Sequence, residues 1–167
     1  MCVLGGWSIQ KECQERVEQH GKLRPGEVFV SHPGRLQCNS IAHALGVRWS
    51  GGTNGEKDVL QSAVTVCLQE ASRRKYKSIA IPALSTGMYG FPLTEACTTI
   101  VEAVNLFLTQ TQGSLQDVYV CDIVTGTVQA FVSALTNSFK NTKVLGRCIF
   151  VTYPNFFVCF MSQLVDL

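Results

Sequence analysis

The chain has 167 residues, of which 46% are hydrophobic and 16% are charged. This composition suits one domain with a well-buried core and excludes an intrinsically disordered chain. The formal net charge of +2 excludes the large electrostatic footprint of a nucleic-acid-binding domain. The eight cysteines include no CxxC pair, so their spacing argues against a metal site and indicates free thiols in a reducing compartment.

Neither end of the chain has the length of a membrane signal. Residues 1–7 are too few for a secretory signal peptide. The apolar run at 148–161 is too short to span a bilayer, and Pro154 and Asn155 interrupt it. We therefore expect no membrane partner.

Helix and strand patterns alternate along the chain. A helix is expected where apolar residues recur every three to four positions, and a strand where short apolar or alternating runs lie between turn residues. Ser8 is a candidate cap for the first helix, and Pro92 suits a first helical position. The predicted elements, in chain order, are a helix at 8–20, strands at 27–32 and 40–46, a helix at 56–74, a strand at 78–82, a helix at 92–109, a strand at 117–123 and a helix at 127–139.

The alternation of strands and helices predicts the fold class. Strands joined by helices form a largely parallel sheet with helices packed on its faces. The strand at 78–82, SIAIP, is almost entirely apolar, as expected of a strand covered on both faces. We therefore predict a three-layer α/β sheet.

The segment between the strand at 78–82 and the next helix is the candidate site. Residues 79–93 read IAIPALSTGMYGFPL, which places two hydroxyls and two glycines at the carboxyl end of a strand, where open α/β sheets bind ligands. Gly87 and Gly90 lack side chains, so successive amides there can approach an anion closely. Ser85 and Thr86 add hydroxyl donors, and the following helix directs its positive end to the same place.

This segment has two other interpretations. The glycines could simply permit a tight turn, since a short Gly-rich pattern is weak evidence for a binding site. The residues from Ala83 to Gly87 are also one substitution from the GxSxG nucleophile elbow. All three histidines lie upstream of Ser85, however, whereas hydrolases with that elbow need one downstream. This argues against a serine nucleophile.

The residues around this segment resemble a known family. SIAIPALSTGMYGFPL (78–93) resembles the second phosphate-binding loop of macrodomains, modules that bind ADP-ribose, and TVQAFVSAL (127–135) resembles their last helix. The likeness covers about residues 8–139 and is nearest to the macrodomains of multi-macrodomain mono-ADP-ribosyltransferases. It implies a three-layer α/β/α fold with a mixed sheet. The family's His-Ala-x-Gly-x-Arg-Trp signature is matched by His43, Ala44, Gly46, Arg48 and Trp49.

The resemblance also assigns residues to the site. It implies that amides around 87–90 hold the two phosphates and that Tyr89 lies near the distal ribose. The adenine side falls at Asp122, which matches an acidic family position, and at Cys121, which stands where the family often has a stacking aromatic residue. His43 and Trp49 are expected to be scaffold residues, and no catalytic residue, metal or cofactor is implied. The family's pyrophosphate loop maps onto Ser85, Thr86, Gly87, Met88, Tyr89 and Gly90.

The chain departs from the family at its N-terminus. The family's first strand, similar to Asp-Val-Ile-Val-Asn-Ala-Ala-Asn, and its first Gly-rich loop have no counterpart. We expect a truncated or spliced N-terminus, with residues 1–7 outside the match, a partial macrodomain at 8–140 and an atypical apolar tail at 141–167. The missing segment carries the groups that hydrolyse ADP-ribosyl bonds in active members, so that machinery is not visible here.

The apolar tail has two interpretations. A missing central strand would leave two rows of unpaired backbone groups, each costing about 1–3 kcal/mol. CIFVTYP (148–154) and FFVCFM (156–161) have the aromatic and β-branched composition of buried strands, so part of the tail could replace that strand. Alternatively, the tail is read-through sequence that stays exposed, and the sequence alone favours this second interpretation.

The sequence therefore predicts a module that binds ADP-ribose or mono-ADP-ribosylated proteins, weakened by the missing N-terminal segment. Nuclear or cytoplasmic localisation is expected from the resemblance. Two alternatives stay open: an ADP-ribosyl hydrolase, and a truncated isoform that binds nothing.

Overall fold

The computed structural model describes residues 5–111, 113–139 and 156–161, the last of these through its backbone. Four helices and five strands are formed by these residues. Their bounds are α1 Trp7–His20, β1 Val28–Ser31, β2 Cys38–Ala44, α2 Glu56–Arg73, β3 Ser78–Pro82, α3 Leu93–Gln110, β4 Asp117–Cys121, α4 Thr125–Ser138 and β5 Phe156–Met161.

The predicted elements are all present, and the differences lie at their ends. Helix α1 begins at Trp7, one residue before the predicted Ser8 cap, because Gly6 turns the chain at φ 89° and takes the N-cap position without a side-chain bond. Pro92 likewise takes the N-cap position of α3 instead of its first turn. Strand β4 ends at Cys121, two residues earlier than predicted.

The strands form one mixed sheet in the order β1-β2-β5-β3-β4. Strand β1 is antiparallel to β2, whereas the β2–β5, β5–β3 and β3–β4 pairs are parallel. The carboxyl ends of four strands, all except β1, therefore meet at one edge of the sheet. This edge positions the loops of the candidate site.

The apolar tail supplies an interior strand. Val158 lies opposite Ile41 of β2 and opposite Ala80 of β3, so β5 separates these two strands. The interpretation in which part of the tail occupies an interior place in the sheet is confirmed for residues 156–161. The segment at 148–155 lies outside the described residues.

Helices cover both faces of the sheet. Alternation along β2 directs Ile41 to one face, where it packs with Ile9 and Cys13 of α1. Ala42 and Ala44 point to the opposite face and join a larger core with residues of α2, α3 and α4. The fold is thus the predicted three-layer α/β/α arrangement. Fully buried members of the larger core include Leu60, Val64, Leu68, Ile79, Ile81 and Ile100.

Candidate functional site

Two loops at the carboxyl edge of the sheet form the candidate site. The β2–α2 loop comprises residues 45–55, and the β3–α3 loop comprises residues 83–92. Pro82, which ends β3, lies opposite Cys121, which ends β4. The structure therefore brings the predicted phosphate loop next to the predicted adenine side, as parallel pairing of β3 and β4 requires.

The β3–α3 loop is held by bonds within its own backbone. Leu84 N–H donates to the Pro82 carbonyl at 2.8 Å, and Phe91 N–H donates to the Ser85 carbonyl at 3.0 Å. Ser85 has φ 67°, a left-handed value uncommon outside glycine. Backbone strain of this kind is held in place by its surroundings and is concentrated at functional sites.

The same loop presents a run of open backbone amides. Among the residues that the structure describes, none accepts a hydrogen bond from the four N–H groups of residues 86–89. Gly90 N–H donates to the Gly87 carbonyl at 2.9 Å, so the open run comprises residues 86–89, which overlaps the range of 87–90 implied by the resemblance. A Cβ built on Gly87 or Gly90 would have no neighbour within 4 Å, so both face open space.

Both hydroxyls of the loop bind protein groups in the structure, whereas the sequence predicted them as donors to an anion. The Thr86 hydroxyl donates to the Ala83 carbonyl at 2.8 Å. Ser85 is 1% exposed, and its Oγ accepts a bond from Val47 N–H at 3.2 Å. Burial also removes Ser85 from the role of nucleophile, in agreement with the upstream position of the histidines.

The remaining predicted residues differ in exposure. Met88 is exposed, Tyr89 is half-buried, and Phe91 beyond them is buried in the main core. The loop is therefore anchored at Phe91 and open at its tip. The tip residues are free to contact a ligand lying over the amides.

The β2–α2 loop is linked to the β3–α3 loop at three points. Besides the Val47–Ser85 bond, Trp49 N–H donates to the Tyr89 carbonyl at 2.8 Å. The Trp49 and Phe91 rings pack with centroids 4.6 Å apart. Trp49 thus has the scaffold role predicted for it, with the β3–α3 loop as the element that it supports.

A buried carboxylate organises the β2–α2 loop. Glu56, the first residue of α2, is 2% exposed. Its Oε1 accepts from Ser50 N–H at 3.0 Å, the Ser50 hydroxyl at 2.7 Å and Gly52 N–H at 3.2 Å, and its Oε2 accepts from Asn54 N–H at 2.7 Å. The hydrogen bond from the Ser50 hydroxyl, with those from backbone amides, lowers the pKa of Glu56 to about 2 against the opposing effect of burial.

The predicted adenine side consists of Cys121 and Asp122, at and just beyond the end of β4. Asp122 accepts a hydrogen bond from Val124 N–H at 2.8 Å, which leads the chain into α4. Burial, with a smaller effect of the Asp122 charge, raises the pKa of the thiol of the buried Cys97 in α3 to about 12. Cys121 is half-buried at the end of β4.

His43 lies away from the loops, in the layer between β2 and α1. It is 1% exposed, and its Nε2 is 2.8 Å from Ser31 Oγ and 3.7 Å from Cys13 Sγ. The Ser31 hydroxyl also lies 3.0 Å from the His32 carbonyl, so His43 is held within a small buried polar cluster. This agrees with the predicted scaffold role.

The described part of the chain contains neither a candidate membrane span nor a candidate metal site. No helix there has the length and apolarity needed to cross a membrane. No group of three or more His, Cys, Asp or Glu residues among those described is placed to hold a metal ion.

Sequence reasoning missed Glu56 as a part of this edge. The sequence placed it only in the first turn of α2, where an acidic residue suits the helix dipole. The signal was available in the preceding Ser-Gly-Gly-Thr-Asn-Gly. A glycine-rich loop with several free amides next to a carboxylate is a candidate for internal anion binding.

Comparison with known families and proteins gives a consistent result. The family model described as "Macro domain" matches residues 3–100. The chain is 38% identical over 140 residues to Protein mono-ADP-ribosyltransferase PARP14 of Homo sapiens, a match that covers 82% of this chain and 8% of that protein. It is 35% identical over 116 residues to an O-acetyl-ADP-ribose deacetylase of Enterobacter sp. (strain 638), which covers 70% of this chain and 64% of the relative.

A solved structure shares the fold of this chain over most of the length of both chains. A mutant of the Oceanobacillus iheyensis macrodomain, solved with ADPR, superposes with a TM-score of 0.76 at 25% identity. The match covers 83% of this chain and 75% of that one. The chain thus spans most of a solved domain but only a small part of the human relative.

Proposed function

This chain belongs to the macrodomain family, and on that premise we propose that it binds ADP-ribose, with the amides of residues 86–89 holding the diphosphate. The observation that carries the proposal is the run of four backbone N–H groups without a protein acceptor among the described residues. Successive amides of this kind form a concave site for an anion. Support for the ligand comes from the 25% identical O. iheyensis domain solved with ADPR.

The neighbouring loop provides an internal comparison. The amides of Ser50, Gly52 and Asn54 converge on the carboxylate of Glu56, so the β2–α2 loop contains its own anion. The β3–α3 loop has a similar set of amides, and no carboxylate among the described residues accepts from them. An external anion supplies the corresponding charge, and a diphosphate provides enough oxygens to accept from several amides at once.

We also propose that the ligand is presented on modified proteins. The exposed Met88 and the open space at Gly87 and Gly90 leave the tip of the β3–α3 loop accessible. A reader of mono-ADP-ribosylated proteins needs this access, and such a role accords with a nuclear or cytoplasmic location. The test is retention of a mono-ADP-ribosylated protein by the immobilised chain, with competition by free ADP-ribose.

Hydrolysis is the second candidate, favoured by the relatives named O-acetyl-ADP-ribose deacetylase. Two carboxylates at this edge of the sheet already accept hydrogen bonds from protein groups. Glu56 is buried within its own loop, and Asp122 accepts from Val124 N–H, so neither is arranged as a general base for an attacking water. We therefore propose binding without turnover, which chromatography of O-acetyl-ADP-ribose incubated with the protein checks.

The decisive experiment places a charge at the proposed phosphate site. Gly87→Glu introduces a side chain into open space at a residue whose backbone does not require glycine, so the variant is expected to fold. Its carboxylate would repel the diphosphate and cover the amides. We expect the wild-type chain to bind ADP-ribose and the variant to lose at least about tenfold in affinity, about 1.4 kcal/mol, by calorimetry.

Gln69→Glu is the matched control. It adds the same charge at an exposed position of α2, 13 residues beyond the first residue of that helix and thus about 20 Å along its axis. Its affinity should equal that of the wild type. If Gly87→Glu binds ADP-ribose as tightly as Gln69→Glu, the amides at 86–89 are not the diphosphate site.

A further inference from the structure

Glu56 lies outside the run of open amides that we propose to bind the ligand. Its side chain nevertheless accepts more hydrogen bonds than any other side chain described at this edge of the sheet. Its two oxygens accept four bonds from three residues of the β2–α2 loop. A buried carboxylate is costly unless such donors surround it. The loop conformation that brings these donors together is therefore strongly favoured over others.

Glu56 fixes the part of the β2–α2 loop that lies against the ring of Trp49, a residue of the same loop. A Cβ built on Gly52 would lie 2.6 Å from Trp49 Cη2 and 3.0 Å from Cζ2. The ring thus packs against the backbone at Gly52, whose N–H is bound by Glu56 Oε1 at 3.2 Å. Glycine is required at this position by the close approach and by its φ of 81°.

Trp49 then contacts the β3–α3 loop at two residues that follow its tip. Its N–H binds the carbonyl of Tyr89, the last residue of the open-amide run, and its ring packs on Phe91, which anchors the return into α3. A continuous set of contacts therefore joins the Glu56 carboxylate to the amides at 86–89. Each of its steps is a hydrogen bond or a ring contact between packed groups.

We infer that Glu56 is a positioning residue for anion binding, acting through Gly52 and Trp49 on the β3–α3 loop. The inference rests on the proposed function for the identity of the ligand. Amides already held in the binding conformation bind an anion more tightly than mobile ones, because their ordering does not have to occur on binding. Loss of the Glu56 carboxylate would leave the β3–α3 loop intact in sequence but less ordered.

Two substitutions with matched controls test this link from different sides. Glu56→Gln replaces an acceptor of N–H groups by an amide that also donates, whereas Asp58→Asn removes the same charge from an exposed residue of the same helical turn. Gly52→Ala drives a methyl group into the Trp49 ring. Gly51→Ala is its control, because Gly51 also has positive φ, at 109°, but a Cβ there meets nothing within 4 Å.

The readouts separate positioning from stability. Affinity for ADP-ribose is measured by calorimetry under conditions where circular dichroism shows each variant fully folded, so that a loss of stability alone leaves Kd unchanged. Trp49 emission is followed in a Trp7→Phe background, since Trp7 is the only other tryptophan and is 81% exposed. Hydrogen exchange of the Trp49 and Phe91 amides reports the order of the two loops.

We expect Glu56→Gln and Gly52→Ala to raise Kd about tenfold, equivalent to about 1.4 kcal/mol. Both should shift Trp49 emission to the red and speed exchange of the Trp49 and Phe91 amides, whereas Asp58→Asn and Gly51→Ala should not. Equal Kd values within each pair overturn the inference. If Glu56→Gln does not fold, the comparison of Gly52→Ala with Gly51→Ala decides alone.

Failure of the proposed function gives a different pattern. A folded wild-type chain that does not bind ADP-ribose refutes that ligand, and the link between Glu56 and the β3–α3 loop is then judged from emission and exchange. Unchanged emission and exchange in both Glu56→Gln and Gly52→Ala would refute the link as well.

Discussion

Acidification from pH 8 to pH 4.5 is expected to destabilise this protein mainly through His43. The ring is 1% exposed between β2 and α1, and burial lowers its pKa from 6.5 to about 4. Its Nε2 lies 2.8 Å from Ser31 Oγ, and its Nδ1 has no hydrogen-bond partner in the described part of the chain. A second proton would therefore create a charge in an apolar layer that includes Cys13 and the stacked ring of Phe29.

The sign and size of the change in the free energy of unfolding follow from the linkage between protonation and folding. Between pH 6.5 and about 4 the unfolded chain binds a proton at His43 that the folded chain does not, so the free energy of unfolding falls as the pH falls. With the pKa values of 6.5 and about 4, the loss between pH 8 and pH 4.5 is about 2.5 kcal/mol. This is a large part of the stability of an ordinary domain.

Two carboxylates with lowered pKa values, Glu70 and Glu56, contribute at lower pH than His43 does. The pKa of Glu70 is lowered by its hydrogen bond to Arg73, and that of Glu56 is lowered to about 2 chiefly by the bond from the Ser50 hydroxyl. Both groups stabilise the folded state above their unfolded pKa values, and their contribution is lost only as the pH falls toward their lower, folded values. Their contributions to the free energy of unfolding therefore stay constant between about pH 5 and pH 6.5, where the contribution of His43 is lost.

Urea denaturation at half-unit pH steps, followed by circular dichroism, measures this directly. The wild-type free energy of unfolding should fall with pH, and His43→Gln should flatten the curve whatever its stability at pH 8. His20→Gln, which removes an exposed histidine at the end of α1, should retain the wild-type slope. A wild-type curve that is flat from pH 8 to pH 5, or the same slope in His43→Gln, would show that the buried ring is not responsible.

Three further outcomes are expected. Gly90→Ala should cost about 1 kcal/mol in urea denaturation, because its φ of 65° disfavours an L-residue while a methyl group has free space there; an unchanged midpoint would argue against that backbone conformation. Val158→Pro should cost about 3 kcal/mol or more, because it removes an N–H from a strand paired on both sides; native-like thermal unfolding would contradict the strand order. Cys97 should resist a thiol reagent until the protein unfolds, since it is buried and its pKa is about 12; rapid labelling of the folded chain, located by mass spectrometry, would disagree.

The sequence predicted the helices and strands because their signals are local. The apolar stripe of α2 and the uninterrupted apolar run of β3 indicate type and extent without knowledge of their neighbours. The predicted ends of the helices were less accurate, because Gly6 and Pro92 suit either the N-cap position or the first helical position. The family resemblance identified the β3–α3 loop, and the structure gives that loop open amides at 86–89.

The long-range features were harder to predict. Nothing in the composition of residues 156–161 distinguishes an interior strand from an exposed apolar tail, because both consist of aromatic and β-branched residues. The difference depends on two neighbouring strands that lack a partner, which is a property of the whole sheet. The same holds for Ser85, whose hydroxyl looked like a ligand donor until its position under Val47 was known.

The interior position of β5 bears on the site as well as on stability. Strands β2 and β3 are two places apart in the sheet, which separates them by about 9.6 Å at the usual spacing of neighbouring strands. Their following loops nevertheless meet through the 2.8 Å bond between Trp49 N–H and the Tyr89 carbonyl, so they close over the end of β5. Were β2 and β3 paired directly, the strands would be about 4.8 Å apart and the loops would need a different path to form the same bond. The path by which the two loops meet beside the amides at 86–89 therefore depends on a strand from the other end of the chain. It follows that Val158→Pro, in any fraction that still folds, should weaken ADP-ribose binding although residue 158 lies outside both loops.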